Sequence, residues 1–223
     1  VTAVFLQVRL DSTRLPRKAL ADLGGTSVTQ RCIEALAAVR VDRRVLVTEP
    51  ESAGELEPLA RSAGWEIYIG NKQNVLDRFV QASRSIGTST VVRATGDNPL
   101  VSARLANELL ELHLASGADY SGFVGSPIGT GVEVLKVSAL EEAWSSDPDE
   151  YEQEHASPFL YRRPERFHIN HPAVAEALRA PAARVTLDTP DDLQYLRSLW
   201  TDLYRGKPLE VEDLIPWLNR HPR

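Results

Sequence analysis

Cysteine is nearly absent from this chain of 223 residues. The single Cys32 excludes an internal disulfide and a cysteine-built metal site, and it fits a reducing cytoplasm. It stands one and four positions from Ile33 and Leu36, in an apolar helical stretch, and reads as core. No apolar run approaches the roughly 20 residues of a membrane span. The opening VTAVFLQV lacks the basic region, long apolar segment and cleavage site of a signal peptide, and reads as a first strand. Neither G-x-x-x-x-G-K-[ST] nor G-x-G-x-x-G occurs, which disfavours ATP hydrolysis and hydride chemistry of those kinds. A G-x-S-x-G nucleophile elbow is missing, and Cys32 has no obvious activating partner. His155, His168 and His171 lack the two-histidine helix spacing of a zinc site. With a net charge of −6, the chain also lacks the basic face that duplex DNA or an anionic membrane demands.

Against that acidic background stands QVRLDSTRLPRK, residues 7 to 18. Residues 9 to 18 hold Arg9, Arg14, Arg17 and Lys18 with one acid, Asp11, so the loop carries +3 and the remainder −9. Such a local cationic island suits a small polyanion better than a nucleic-acid surface. Arginine offers a planar fork for phosphate oxygens and lysine a compact charge. Arg9, Arg14 and Lys18, with Ser12 and backbone N–H groups, therefore form a candidate triphosphate site; the alternative is a solvated basic turn.

Apolar runs alternate with helical patterns along the first half: strands at 3–8, 43–48, 65–69 and 90–95, and helices at 27–39, 54–64 and 74–86. This alternation predicts a parallel sheet covered by helices on both faces. A helix with a glycine stop follows at 102–117, then two strands around a Gly/Pro/Ser loop within 118–137. A helical SALEEAW, a charged stretch at 147–167, a strand at 184–187 and a helix from Pro190 complete the pattern. One domain over 1–223 is expected, with residues 120–175 as an inserted lobe.

Ligands of open parallel sheets bind where loops leave the carboxyl ends of the strands. Asp97, in RATGDNPLV, either ligates Mg²⁺ or, with Asn98, caps the helix that starts near Ser102. Asp188, in VTLDTPDDL, is either a second ligand or the N-cap of the next helix. Two acids 91 positions apart, both expected at the edge that carries the cationic loop, suit a metal–triphosphate site.

The run QVRLDSTRLPRKAL resembles the R-x-x-S-[ST]-R-L-P-x-K opening of the cytidylyltransferases that activate acidic sugars, the CMP-sialic-acid and CMP-3-deoxy-manno-octulosonate synthetases. The likeness is greatest to the branch called spore-coat polysaccharide biosynthesis protein F. VLVTEPES, NVLDRFVQA, VRATGDNPLV, GVEVLKVSALEEAW, YEQEHASPFLYRRPERF and VTLDTPDDLQYLR resemble later segments of that family, in order.

The resemblance implies a three-layer α/β/α nucleotidyltransferase fold with a mostly parallel sheet, commonly a homodimer built through the inserted lobe. It implies CTP and a small acidic acceptor as substrates, Mg²⁺ as cofactor, and a role in surface polysaccharide biosynthesis. Gln7, Arg9, Ser12, Arg14 and Lys18 would bind the nucleotide, with Thr48, Thr95 and Gly96 near it, and Asp97 and Asp188 would hold the metal. Arg14, Lys18, Asp97 and Asp188 would carry the catalysis. Arg78, Glu133, Glu154 and His155 are candidates for the acceptor side, with Glu154–His155 either substrate-facing or an element of the dimer interface. Two departures stand out. Arg17 replaces a usual glycine, and Ile128–Gly129–Thr130–Gly131 lacks both aspartates of D-G-L-D-V-E-V. A phosphonate or other small anion is thus an alternative acceptor, and a non-catalytic nucleotide-binding homologue is the alternative of another class.

Overall fold

A computed structural model describes all of residues 1–223. The first half follows the predicted alternation: β1 (Thr2–Gln7), α1 (Val28–Leu36), β2 (Arg43–Thr48), α2 (Pro50–Ser62), β3 (Glu66–Ile69), α3 (Val75–Ile86) and β4 (Thr90–Thr95). Then come α4 (Ala103–Ser116), β5 (Tyr120–Gly122), β6 (Glu133–Lys136), α5 (Val137–Trp144), α6 (Glu150–His155), α7 (Pro158–Tyr161), β7 (Ile169–Asn170), α8 (Pro190–Leu203) and α9 (Val211–Arg220). The seven strands form one sheet in the order β3-β2-β1-β4-β6-β5-β7. It is mostly parallel; only β6 runs against its neighbours β4 and β5.

Strand alternation assigns the two faces. Val4, Leu6 and Val8 enter the larger apolar cluster, with residues of α1, α2, α4, α8 and α9. Ala3 and Phe5 point the other way, into a cluster with α3, α5 and α7. Each face of β1 is therefore covered, which is why its run is apolar without a polar alternate. The result is the expected three-layer α/β/α arrangement. Residues 120–175 add β5–β7 to the same sheet and Tyr120, Leu135, Phe159 and Phe167 to the same core as Phe5.

Several helix starts are sequence-coded. Ser27, Asn74 and Ser102 each accept a backbone N–H three residues on, and Pro50 and Pro190 open α2 and α8. α2 begins four residues before its predicted start because Glu49 caps it. Residues 184–187 are not a strand. Arg184 makes one isolated bridge to Ile128, Val185 N–H donates to Ile128 O at 2.8 Å, and Leu187 N–H donates to Asp97 O at 2.8 Å. Val185, Thr186 and Leu187 are buried as their composition requires, but the segment lies against two loops that offer no ladder.

Candidate active site

The carboxyl ends of β1 and β4 are neighbours in the sheet, with Gln7 paired to Thr95. A cleft of about 320 Å³ opens above them, lined by Gln7, Arg9, Ser12, Arg14 and Lys18 from the first loop. Thr95, Gly96 and Asp97 line it from the β4 loop, Glu154 and His155 from α6, and Asp188 from the segment before α8. Eleven of the predicted site residues, from four stretches of the sequence, thus share one cavity. A side chain at Gly96 would meet Val8 at 2.8 Å, so glycine there lets the β4 loop approach the end of β1.

Lys18 is the hub. Its Nζ donates to Asp97 Oδ2 at 2.9 Å, Asp188 Oδ1 at 2.9 Å and Leu187 O at 2.8 Å. Asp97 also accepts from Thr95 Oγ1 at 2.7 Å. Asp188 is further paired with Arg14 at 3.0 Å and with Arg184. Burial alone would raise the Asp188 carboxyl, but the Lys18 hydrogen bond and the charges of Lys18, Arg14 and Arg184 hold it below the ordinary carboxylate range. Neither acid is a helix cap: Ser102 caps α4 and Thr189 caps α8. The Leu187–Asp97 backbone bond ties the two acidic segments together. Two carboxylates and a backbone carbonyl, all within 2.8–2.9 Å of one point, form an all-oxygen donor set of the kind a hard divalent ion takes.

The loop itself is pinned from α2. Leu10 N–H donates to Ser52 Oγ at 2.9 Å, and Ser52 Oγ in turn donates to Glu49, which is fully buried. Arg17 sits in the left-handed region at φ 57, which explains why a glycine suits that position. Its guanidinium forks onto Glu55, with one contact at 2.8 Å, so the cation fastens the loop to α2 outside the cleft.

Three predicted site residues lie elsewhere. Thr48 is fully buried and its hydroxyl donates to Val8 O at 2.8 Å, so it straps β2 to the end of β1 and does not reach the cleft. Arg78 is 1% exposed beneath Gly70, donates to Lys72 O at 3.3 Å, and lines neither this cleft nor its neighbour. Its Nε and Nη1 have no partner, and burial lowers its pKa. Glu133 belongs to an adjoining second cleft of about 420 Å³, walled by Tyr120, Phe123, Val124, Ile128 and a run of glycines. There it accepts from Tyr120 Oη at 2.9 Å, from Ser157 Oγ at 2.9 Å and from Arg93 Nη1 at 2.5 Å.

Arg93 escaped the sequence reading. It lines both clefts, and its Nη2 donates to Gln7 Oε1 at 3.1 Å. The available signal was an arginine interrupting the otherwise apolar strand TVVRAT. His155 packs at a tilt against Tyr151, with ring centroids 4.4 Å apart and 52° between the planes. Burial lowers its pKa, aided by the charges of Arg93 and Arg9 and opposed by those of Glu154 and Glu133. Arg9 meets Glu154 at 3.3 Å and Asp11 at 3.5 Å, both exposed contacts that a ligand can exchange.

The cytidylyltransferase family model matches residues 3–213. The chain is similar to the spore coat polysaccharide biosynthesis protein SpsF of Bacillus subtilis, 30% identical over 226 residues, covering 98% of this chain and 94% of that one. Among solved structures, a cytidylyltransferase from Leptospira borgpetersenii serovar Hardjo-bovis superposes with TM-score 0.92 at 24% identity, over 99% and 94% of the two chains. A CMP:2-keto-3-deoxy-manno-octonic acid synthetase complexed with CTP superposes with TM-score 0.71 at 17% identity, over 90% of this chain and 98% of that one.

Proposed function

The chain belongs to the cytidylyltransferase family, and from that premise we propose that it transfers CMP from CTP to a hydroxyl of an acidic sugar or related acceptor, releasing pyrophosphate. The observation that carries this reading is the meeting of Arg14 and Lys18 with Asp97 and Asp188 at the shared end of β1 and β4. Likeness to a spore coat polysaccharide protein supports a role in surface polysaccharide assembly.

Asp97 and Asp188 would hold Mg²⁺, which when bound neutralises charge on the phosphate oxygens. Arg14 and Lys18 receive the negative charge that develops on the departing pyrophosphate, aided by the Ser12 hydroxyl. Thr95 and the Leu187–Asp97 backbone bond orient the acids before substrate arrives, so little reorganisation remains for the reacting complex. The second cleft, joined to the first through Arg93 and Thr95, receives the acceptor. No side chain becomes covalently attached, and the acceptor hydroxyl displaces pyrophosphate directly from the α-phosphorus.

Pyrophosphate release from CTP and Mg²⁺, assayed against a panel of sugar acids, phosphonates and sugar phosphates, tests the proposal. Release with a sugar acid supports it. Release with phosphonates alone transfers the reading to that acceptor class. Tight CTP binding without turnover on any acceptor identifies a non-catalytic nucleotide binder. Light scattering of the full chain tests the homodimer.

A further inference from the structure

Lys18 occupies the place that the two acids would offer a metal. Its ammonium has three donors, and all three are used, on Asp97 Oδ2, Asp188 Oδ1 and Leu187 O at 2.8–2.9 Å. Those acceptors are the oxygens that a hard divalent cation would need, and the lysine side chain is only 15% exposed among them. A metal and an ammonium cannot share that position. Arg14 and Arg184 add two more positive charges against Asp188, so the two carboxylates face three cations. A divalent ion arriving alone meets net repulsion as well as an occupied seat.

A triphosphate reverses both terms. It brings several negative charges into the cleft that Arg14 and Lys18 line, and the four-carbon lysine stem can swing because Lys18 begins only a short 3-10 turn, Lys18–Leu20. We infer that Lys18 is the placeholder of the metal position: in the free protein it closes the Asp97–Asp188 seat, and the nucleotide, by drawing the ammonium onto its phosphates, opens that seat. Metal therefore binds with the nucleotide and not before it. By linkage, metal must tighten nucleotide binding by the same factor as nucleotide tightens metal binding. Lys18 then has two successive partners, carboxylates in the free protein and phosphates in the complex, and its charge couples the two ligands.

The inference rests on the metal assignment of the proposed function, and a binding measurement separates the two. Mn²⁺ serves as the probe, followed by water-proton relaxation with the full chain, with and without CTP and with no acceptor present. The wild type is expected to bind Mn²⁺ weakly alone and at least about tenfold more tightly in the CTP complex. Lys18→Met is expected to raise nucleotide-free Mn²⁺ affinity at least about tenfold and to erase most of the CTP dependence. Lys18→Arg, which keeps the charge, should keep the seat closed. Thermal melts establish that each variant is folded, and Lys18→Gln replaces Lys18→Met if the latter is not.

Equal Mn²⁺ affinity of the wild type with and without CTP, or an unchanged affinity in Lys18→Met, overturns the placeholder. Those results leave the metal assignment standing provided Asp97→Asn and Asp188→Asn still abolish Mn²⁺ binding in the CTP complex. Mn²⁺ binding that survives both asparagine variants overturns the metal assignment instead.

Discussion

The two clefts differ in how their walls are charged. The cleft over β1 and β4 carries Arg9, Arg14, Lys18, Asp97 and Asp188, whose contacts are ion pairs within and between loops. The adjoining cleft carries one closed pair, Arg93–Glu133, set across β4 and β6, and an apolar wall in which Val124 and Ile128 are 47% and 49% exposed. Loop ion pairs can be exchanged for a ligand's charges, whereas a pair locked into strand register by Tyr120 and Ser157 is a fixed part of the wall. The first cleft is thus suited to a polyanion that rearranges its lining. The second is suited to a ligand fitted by shape and by neutral hydrogen bonds.

Removing the exchangeable acids should have the largest consequence. Asp97→Ala and Asp188→Ala are each expected to lower turnover with CTP and Mg²⁺ by about a thousandfold, since each removes charge stabilisation from the reacting centre. Steady-state pyrophosphate release measures this, and turnover that survives both substitutions refutes the assignment of these acids.

Breaking the fixed pair should act on the fold first. Glu133→Ala leaves Arg93 largely buried without its counter-ion, and the expected loss is about 3 kcal/mol of stability by urea unfolding. CTP affinity of the folded fraction should change little. A loss of CTP binding as severe as that of an Arg14 variant would erase the contrast between the clefts.

A pH effect lies behind the second cleft, where buried His113 bonds Ser121 of β5 at 2.8 Å. Burial pushes its ring down to about 4, from 6.5 when exposed. The unfolded chain therefore takes up the proton first. The stabilisation is complete above 6.5 and is lost as pH falls toward 4, at up to about 1.4 kcal/mol per pH unit. Urea midpoints between pH 7 and pH 5 should fall for the wild type and less steeply for His113→Asn.

The smallest effect is expected from Arg17→Gly, which relieves a left-handed backbone but releases Glu55. The melting midpoint should hardly move, while CTP affinity weakens a few-fold as the loop loosens. An unchanged affinity would mean that the Ser52 contact alone sets the loop.

Legibility in the sequence followed the same division. The β-α-β half could be read because VFL, VLV and the capping residues Ser27, Asn74 and Ser102 are local signals. Asp97 and Asp188 were expected at one edge because each ends an apolar run. That expectation was right about their meeting, though residues 184–187 pair with loops and form no strand. Arg78 and Thr48 were misplaced because a short motif does not say which way a side chain turns. Arg93 and Ser52 went unread, since their partners Gln7, Glu133 and Leu10 lie 40 to 86 positions away. The helix α9, whose Val211, Leu214, Trp217 and Leu218 pack at helical spacing, was left out although its pattern was available.

The central claim is that the cation-rich cleft holds CTP. A thermal-shift comparison of CTP, UTP, GTP and ATP, each with Mg²⁺, on the wild type and on Arg14→Ala tests it most directly, since a ligand bound only by the folded chain raises its midpoint. The account predicts the largest rise with CTP, much reduced in Arg14→Ala. An equal or larger rise with another nucleotide, or a CTP shift untouched by Arg14→Ala, would contradict it.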